Sequence, residues 1–221
     1  MSEQPLAKNE NNVIYLNPGI SPEKALKILK VVKSEADGTF KHLLAGMMEN
    51  VSEAAFEELD RTGEAGAAEG YLNIIRSVKT NQRVFLESFF KLMNQAWLNV
   101  LHKKDEPAVS DATGEAAIEI DRMQRKVRVH YKILLSEVSG RFGTLAGREL
   151  KYNPVIPNHI YQSYWHATGA LNLTDEDRVL LLLLFNRFVM DKAGKFIGSV
   201  NSKLEELKVE PLQKKPSDLE G

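Results

Sequence analysis

Apolar residues along this chain recur at spacings of three and four, the period of helices that bury one face. The pattern is strongest from Tyr71 onward, through Leu72, Ile75, Val78, Val84, Phe85, Phe89, Met93 and Trp97, with Leu86, Phe90 and Leu101 widening the stripe. A stripe that broad predicts burial on more than one side. Upstream, Ser21-Pro22 predicts a helix start, with serine as cap and proline in the first turn, where its missing N–H costs nothing. Leu26, Leu29, Val32, Phe40, Leu43, Leu44, Met47 and Met48 continue that helix, and Gly38 marks an expected kink or split. A short amphipathic segment follows from Val51 to Leu59, and Gly63-Glu64-Ala65-Gly66 is a natural break.

In the second half a helix is predicted from about Glu115 to Leu150, closed by Asn153-Pro154-Val155-Ile156-Pro157, whose prolines force an extended turn. Pro157 then opens a helix carrying Ile160, Tyr161, Tyr164, Trp165 and Leu171. Thr174-Asp175-Glu176-Asp177 resembles a capping box, and one long final helix is expected from it to about Lys208. The run Val179 to Phe185 cannot face one side only, so this helix should begin buried all round. Beyond Phe188, Val189, Phe196, Val200, Leu204 and Leu207 form a single stripe. The apolar run is far short of the roughly 20 residues of a membrane span. No segment alternates with period two, so the expected fold is all-α, a multi-helix bundle with a buried C-terminal helix. The expected organisation is a mobile arm over 1–20, a helical domain over 21–208 with a candidate linker at 103–113, and a mobile tail over 209–221.

Composition narrows the chemistry. With 43% hydrophobic and 27% charged residues, the 221-residue chain has the balance of a folded protein. Its 29 Lys and Arg nearly cancel 30 Asp and Glu, so no global field steers it toward nucleic acid or anionic lipid. The absence of cysteine excludes disulfides, thiolate catalysis and cysteine-ligated metal. Met1 to Asn12 shows no basic start leading into an apolar run, so no signal peptide is read and the expected location is cytoplasmic.

Within the helix beginning near Glu115, Arg122, Arg125, Lys126, Arg128 and Lys132 occupy one arc, while Met123, Val127, Tyr131, Leu134 and Val138 occupy the opposite one. A solvated face explains that division, but Val129 and Ile133 stand among the cations and give the face an apolar component. The mixture favours a protein partner or self-association over nucleic acid. An alternative candidate is a pocket for a small ligand or second messenger at Tyr161, Trp165 and Arg187, against the competing reading that these aromatics are core. The five histidines form no metal pair at helical spacing with a nearby acid, and His159 and His166 lie two turns apart on one predicted helix. Gly140, Gly143, Gly147, Gly194 and Gly198 match no phosphate-binding loop and are expected to let helices approach closely or to kink their own helix. No Gly-x-Ser-x-Gly elbow occurs. No cofactor or metal and no catalytic activity are therefore expected.

The Asn153 to Pro157 turn, the aromatic-rich helix after it, Phe185-Asn186-Arg187-Phe188-Val189, Asn201, Leu204 and Pro211-Leu212 together resemble the bacterial, chiefly proteobacterial, domain-of-unknown-function family 1631. Gln82 to Phe90 and Glu115 to Leu135 resemble its earlier blocks, so the likeness covers most of residues 50–212. What the resemblance implies is a helical fold without catalytic signatures. Members are usually longer and carry Phe-Asp-Arg where this chain has Phe185-Asn186-Arg187. Some relatives bear a thymidine phosphorylase name, which implies a mixed α/β enzyme that a chain this short and helical does not match. Some longer relatives are linked to cyclic-dinucleotide signalling, but the receptor signature of Arg-x-x-x-Arg with a downstream Asp-x-Ser-x-x-Gly does not occur here. The expected function is a non-catalytic, regulatory or protein-contact module.

Overall fold

The computed structural model describes residues 20–62, 67–102 and 111–212. The sequence-based N-terminal arm up to residue 19, the break at 63–66, the linker at 103–110 and the tail beyond 212 lie outside the described residues. The helices are α1 (Pro22–Glu49), α2 (Val51–Thr62), α3 (Ala67–Leu101), α4 (Gly114–His130), α5 (Lys132–Ala146), α6 (Pro157–Thr168), α7 (Asp175–Phe188) and α8 (Ala193–Glu206), with 3-10 turns at Gly169–Leu171 and Met190–Lys192. No strand occurs among the described residues, so the fold is an all-α bundle.

The starts of α1 and α7 form as their sequences predict. Ser21 Oγ accepts from Lys24 N at 3.4 Å with Pro22 in the first turn, and Thr174 Oγ1 accepts from Asp177 N at 3.1 Å. Gly38 breaks nothing: α1 runs through it, and a Cβ at that position would meet no atom within 4 Å.

The core forms where α3 meets α1, α2, α5, α6 and α7. Tyr71, Ile74, Val78, Phe85, Phe89, Met93 and Trp97 bury this face, whereas Leu72 and Val84, expected inside, are half exposed. At the start of α3 the buried line runs through Tyr71 and Ile74, which leaves Leu72 outside it. α7 enters this core with Val179, Leu181, Leu182, Leu184 and Phe185 all buried, and the Phe185 ring stacks on Tyr164 at 3.7 Å. α8 then buries one face only, through Phe196, Ile197, Val200 and Leu204.

Two predicted long helices are each broken. The Glu115 to Leu150 helix bends at Tyr131 (φ −106°, ψ 25°), and the Thr174 to Lys208 helix breaks at Val189 (φ −113°, ψ −58°). Neither break contains proline or glycine. At the first, the helix changes partners: α4 packs on α6 and α7, α5 on α8 and α3. The Tyr131 ring seats on Gly194 so closely that a Cβ there would lie 2.6 Å from Tyr131 Cε1. The missing side chain in α8 therefore receives the ring that turns α4 into α5. Gly140 and Gly143 serve differently from the expected helix contact. A Cβ on Gly140 would press on Pro211, and one on Gly143 on the Arg148 carbonyl and the Leu212 side chain, so both make room for the segment lying over α5.

Candidate functional site

The structure puts the basic and apolar residues of the sequence-predicted face together on the outside of the α4–α5 bend. Met123, Val127 and Val138 are buried on the inner side, while Arg122, Arg125, Lys126, Arg128, Val129, Lys132 and Ile133 are exposed. Val129 is 78% and Ile133 77% exposed, and Ile118, on the same stripe roughly three turns before Val129, is 68% exposed. These three are the most exposed of the large apolar residues among the described residues, an uncommon concentration on one helical face.

The cations on this face divide into two groups. Arg122 is held by Glu119 (Nη2 to Oε2 2.6 Å) and Arg125 by Asp121 (2.6 Å), so both are locally neutralised. Lys126, Arg128 and Lys132 make no ion pair among the described residues. The uncompensated charge therefore sits at the C-terminal end of α4 and the start of α5, beside Val129 and Ile133. An acidic concavity lies at the other end of α4, lined by Glu69, Glu115 and Glu176 with Asp177 beneath. Burial holds the Asp177 carboxyl above its ordinary range.

Behind Val129 an open groove of about 750 Å³ runs between the bend and residues 150–158. One wall carries Arg125, Arg128 and Lys132, and the opposite wall Lys151, Tyr152 and Asn158. Asn153 shapes the second wall. Its Oδ1 accepts from Val155 N at 3.1 Å and its Nδ2 donates to Ser139 Oγ at 2.9 Å, tying the turn to α5. Sequence periodicity could not find this wall, because only the tertiary fold brings it opposite α4.

The three alternative pocket residues are not gathered around a cavity. Tyr161 and Trp165 are fully buried; Tyr161 Oη donates to Asn186 Oδ1, and the Arg178 guanidinium covers the Trp165 ring at 3.8 Å. Arg187 lies on the surface, 2.8 Å from Glu57. The rings fill the core because an aromatic side chain buries too much apolar area to remain in a wet pocket when packing partners are available. Among the described residues no group of three or more His, Asp or Glu could hold a metal ion. No helix among them is long and apolar enough to cross a membrane.

The two histidines of α6 have separate environments. His166 Nδ1 is 2.9 Å from Asp111 Oδ2 at the surface, whereas His159 is buried with Nε2 3.5 Å from Ser163 Oγ. Burial lowers the His159 pKa to about 4, against a partly opposing hydrogen bond with the Leu92 backbone. A folded pKa below the unfolded one leaves stability intact above about pH 6.5 and removes it as the pH falls toward 4. The unfolded chain takes up the proton first. The expected loss is on the order of 3 kcal/mol by pH 4. Urea unfolding from pH 7 to 4 should show a shallower acid limb for His159→Gln than for the unaltered chain, and parallel limbs would assign the loss to other groups.

The family model described as "Protein of unknown function (DUF1631) N-terminal domain" matches residues 24–207. No curated protein and no solved structure matches.

Proposed function

The chain belongs to the DUF1631 family, and we propose that it is a non-catalytic module that works by protein–protein contact through the outer face of the α4–α5 bend. The observation that carries this reading is the pair Val129 and Ile133, more than three-quarters exposed and flanked by cations without ion-pair partners among the described residues. Apolar side chains left in water beside unpaired charge gain most from a partner offering apolar surface and carboxylates together. Nucleic acid is the weaker fit. Phosphate contacts gain nothing from bare valine and isoleucine, and two of the five basic residues on the face are already paired.

A photo-reactive amino acid in place of Ile133 should crosslink a protein segment in native lysate, and mass spectrometry should show acids beside apolar residues in it. The same group in place of Leu72, half exposed on α3, should not capture that segment. Val129→Asp should reduce capture about tenfold by removing an apolar contact and adding repulsion of the partner's carboxylates. Equal capture from both positions, or capture unaffected by Val129→Asp, would end the proposal.

A further inference from the structure

The groove behind Val129 differs from the face in front of it. Arg125, Arg128, Lys132 and Lys151 line it, and no acidic side chain among the described residues does. Arg125 is occupied by Asp121, but Arg128 and Lys132 are not paired among the described residues. Arg128 and Lys132, one turn apart on the same wall, raise the local potential for an anion. The beginning of α6 adds to that potential. Its cap position is Ile156, whose side chain accepts nothing, and Pro157 has no N–H to offer. The amides of His159 and Ile160 both donate to Ile156 O, at 2.9 and 3.3 Å. The Asn158 N–H is left without a partner among the described residues. It lies at the positive end of the α6 dipole, and Asn158 itself lines the groove.

Between the walls, Leu135, Leu150, Ile156 and Pro157 give the groove an apolar component beside Ser136 and Ser139. Its volume is far larger than one carboxylate or phosphate needs, and it is open along one side, so a small molecule would remain largely in water. A chain segment suits that shape, with acids reaching the walls and apolar side chains lying between them. Val129 is the lip shared by the groove and the outer face.

We infer that this groove anchors an acidic, apolar-interleaved segment of the partner protein, whose carboxylates bind Arg128, Lys132 and the Asn158 N–H. The inference rests on the contact role proposed above and assigns its anchoring site.

The probe is a fluorescein-labelled Asp-Glu-Leu-Asp-Asp-Leu peptide, compared with a counterpart carrying Asn and Gln in place of the acids. Anisotropy should rise with the acidic peptide and not with the neutral one, and the signal should weaken as salt is added. Arg128→Glu/Lys132→Glu alters two exposed side chains and should melt like the unaltered chain while binding the acidic peptide about tenfold more weakly or worse. The backbone amide of Asn158 should shift on titration in an NMR spectrum. Equal binding of the two peptides, unchanged binding by the double variant, or a silent Asn158 amide overturns the inference. Displacement of the peptide by equimolar inorganic phosphate makes the site one for small anions and also overturns it. Concentration-dependent self-association that the double variant abolishes makes the occupant a second copy, which overturns it as well. Crosslinking from position 133 separates the two levels. If it persists in the double variant while peptide binding is absent throughout, the contact face stands and the groove falls; if it fails while the peptide binds as expected, the reverse holds.

Discussion

Phe185→Asp abolishes the cooperative unfolding transition, whereas Phe185→Leu keeps it at a lower temperature. Phe185 is fully buried in α7, stacked on Tyr164 with the ring planes 16° apart and edge-on to Tyr161 at 6.0 Å. Deleting a ring at such a site costs about 3–5 kcal/mol. A carboxylate in its place would be buried among aromatic rings and adds several kcal/mol more, or binds a proton at comparable cost. A domain's net stability is only about 5–15 kcal/mol, so the sum is enough to unfold it. Leu182→Asp, one turn earlier and equally buried, should behave alike. Thermal melts followed by far- and near-UV circular dichroism check both, and sharp transitions near the unaltered melting temperature would remove α7 from the core.

That α7 is central was legible in the sequence because an unbroken apolar run has no polar side to turn outward. The breaks were not. Val189 and Tyr131 each suit the helical period of their neighbours, so nothing local distinguishes them from helix interior. Tyr131 leaves helical geometry because its ring finds space over Gly194, a residue more than sixty positions away. The sequence showed Gly194 as a small residue on a helix, but the ring it receives belongs to tertiary packing. The burial of Tyr71 and not of Leu72 has a related origin: both fit a helical stripe, and which one turns inward is decided by the neighbours of α3.

The candidate site was legible to the same depth. Val129 and Ile133 stood out because apolar residues interrupted a charged arc, and both are exposed as that pattern implied. The second wall of the groove, from Lys151 to Asn158, gave no such signal. Its residues carry a proline-bounded turn, and their placement opposite Arg128 depends on Asn153 reaching Ser139. The aromatics at Tyr161 and Trp165 show the converse difficulty. Helical spacing is identical for a ring in the core and a ring in a pocket wall, so only the surrounding packing separates the two readings.

Arg141→Met lowers the melting temperature by about 6–12 °C and frees the segment after α8 before it unfolds the rest, through a loss of about 3 kcal/mol. Arg141 in α5 is buried, with Nε donating to Asn201 Oδ1 at 3.0 Å and Nη1 donating to the Val209 carbonyl. Glu205, at 3.9 Å and largely exposed, is a weaker partner. Thr144 Oγ1 donates to Glu210 O at 2.6 Å and Leu212 N donates to Gly140 O at 3.0 Å, completing a strap across α5. The strap begins at a helix terminus closed by two backbone bonds, Val209 N to Leu204 O at 3.0 Å and Lys208 N to Glu205 O at 2.8 Å. That closure holds Lys208 at φ 58°, a left-handed conformation costing a side chain about 1–2 kcal/mol. The turn is thus kept in a conformation that glycine would take more easily, and the hydrogen bonds to the strap oppose its release. Methionine fills much of the arginine's volume but offers no donor, leaving the Val209 carbonyl and Asn201 Oδ1 unsatisfied. Native-state hydrogen exchange should then quicken far more at the Val209 and Leu212 amides than at Leu182. Equal acceleration at all three would mean that Arg141 stabilises the whole bundle and not the strap in particular, and an unchanged melting temperature would deny it either role.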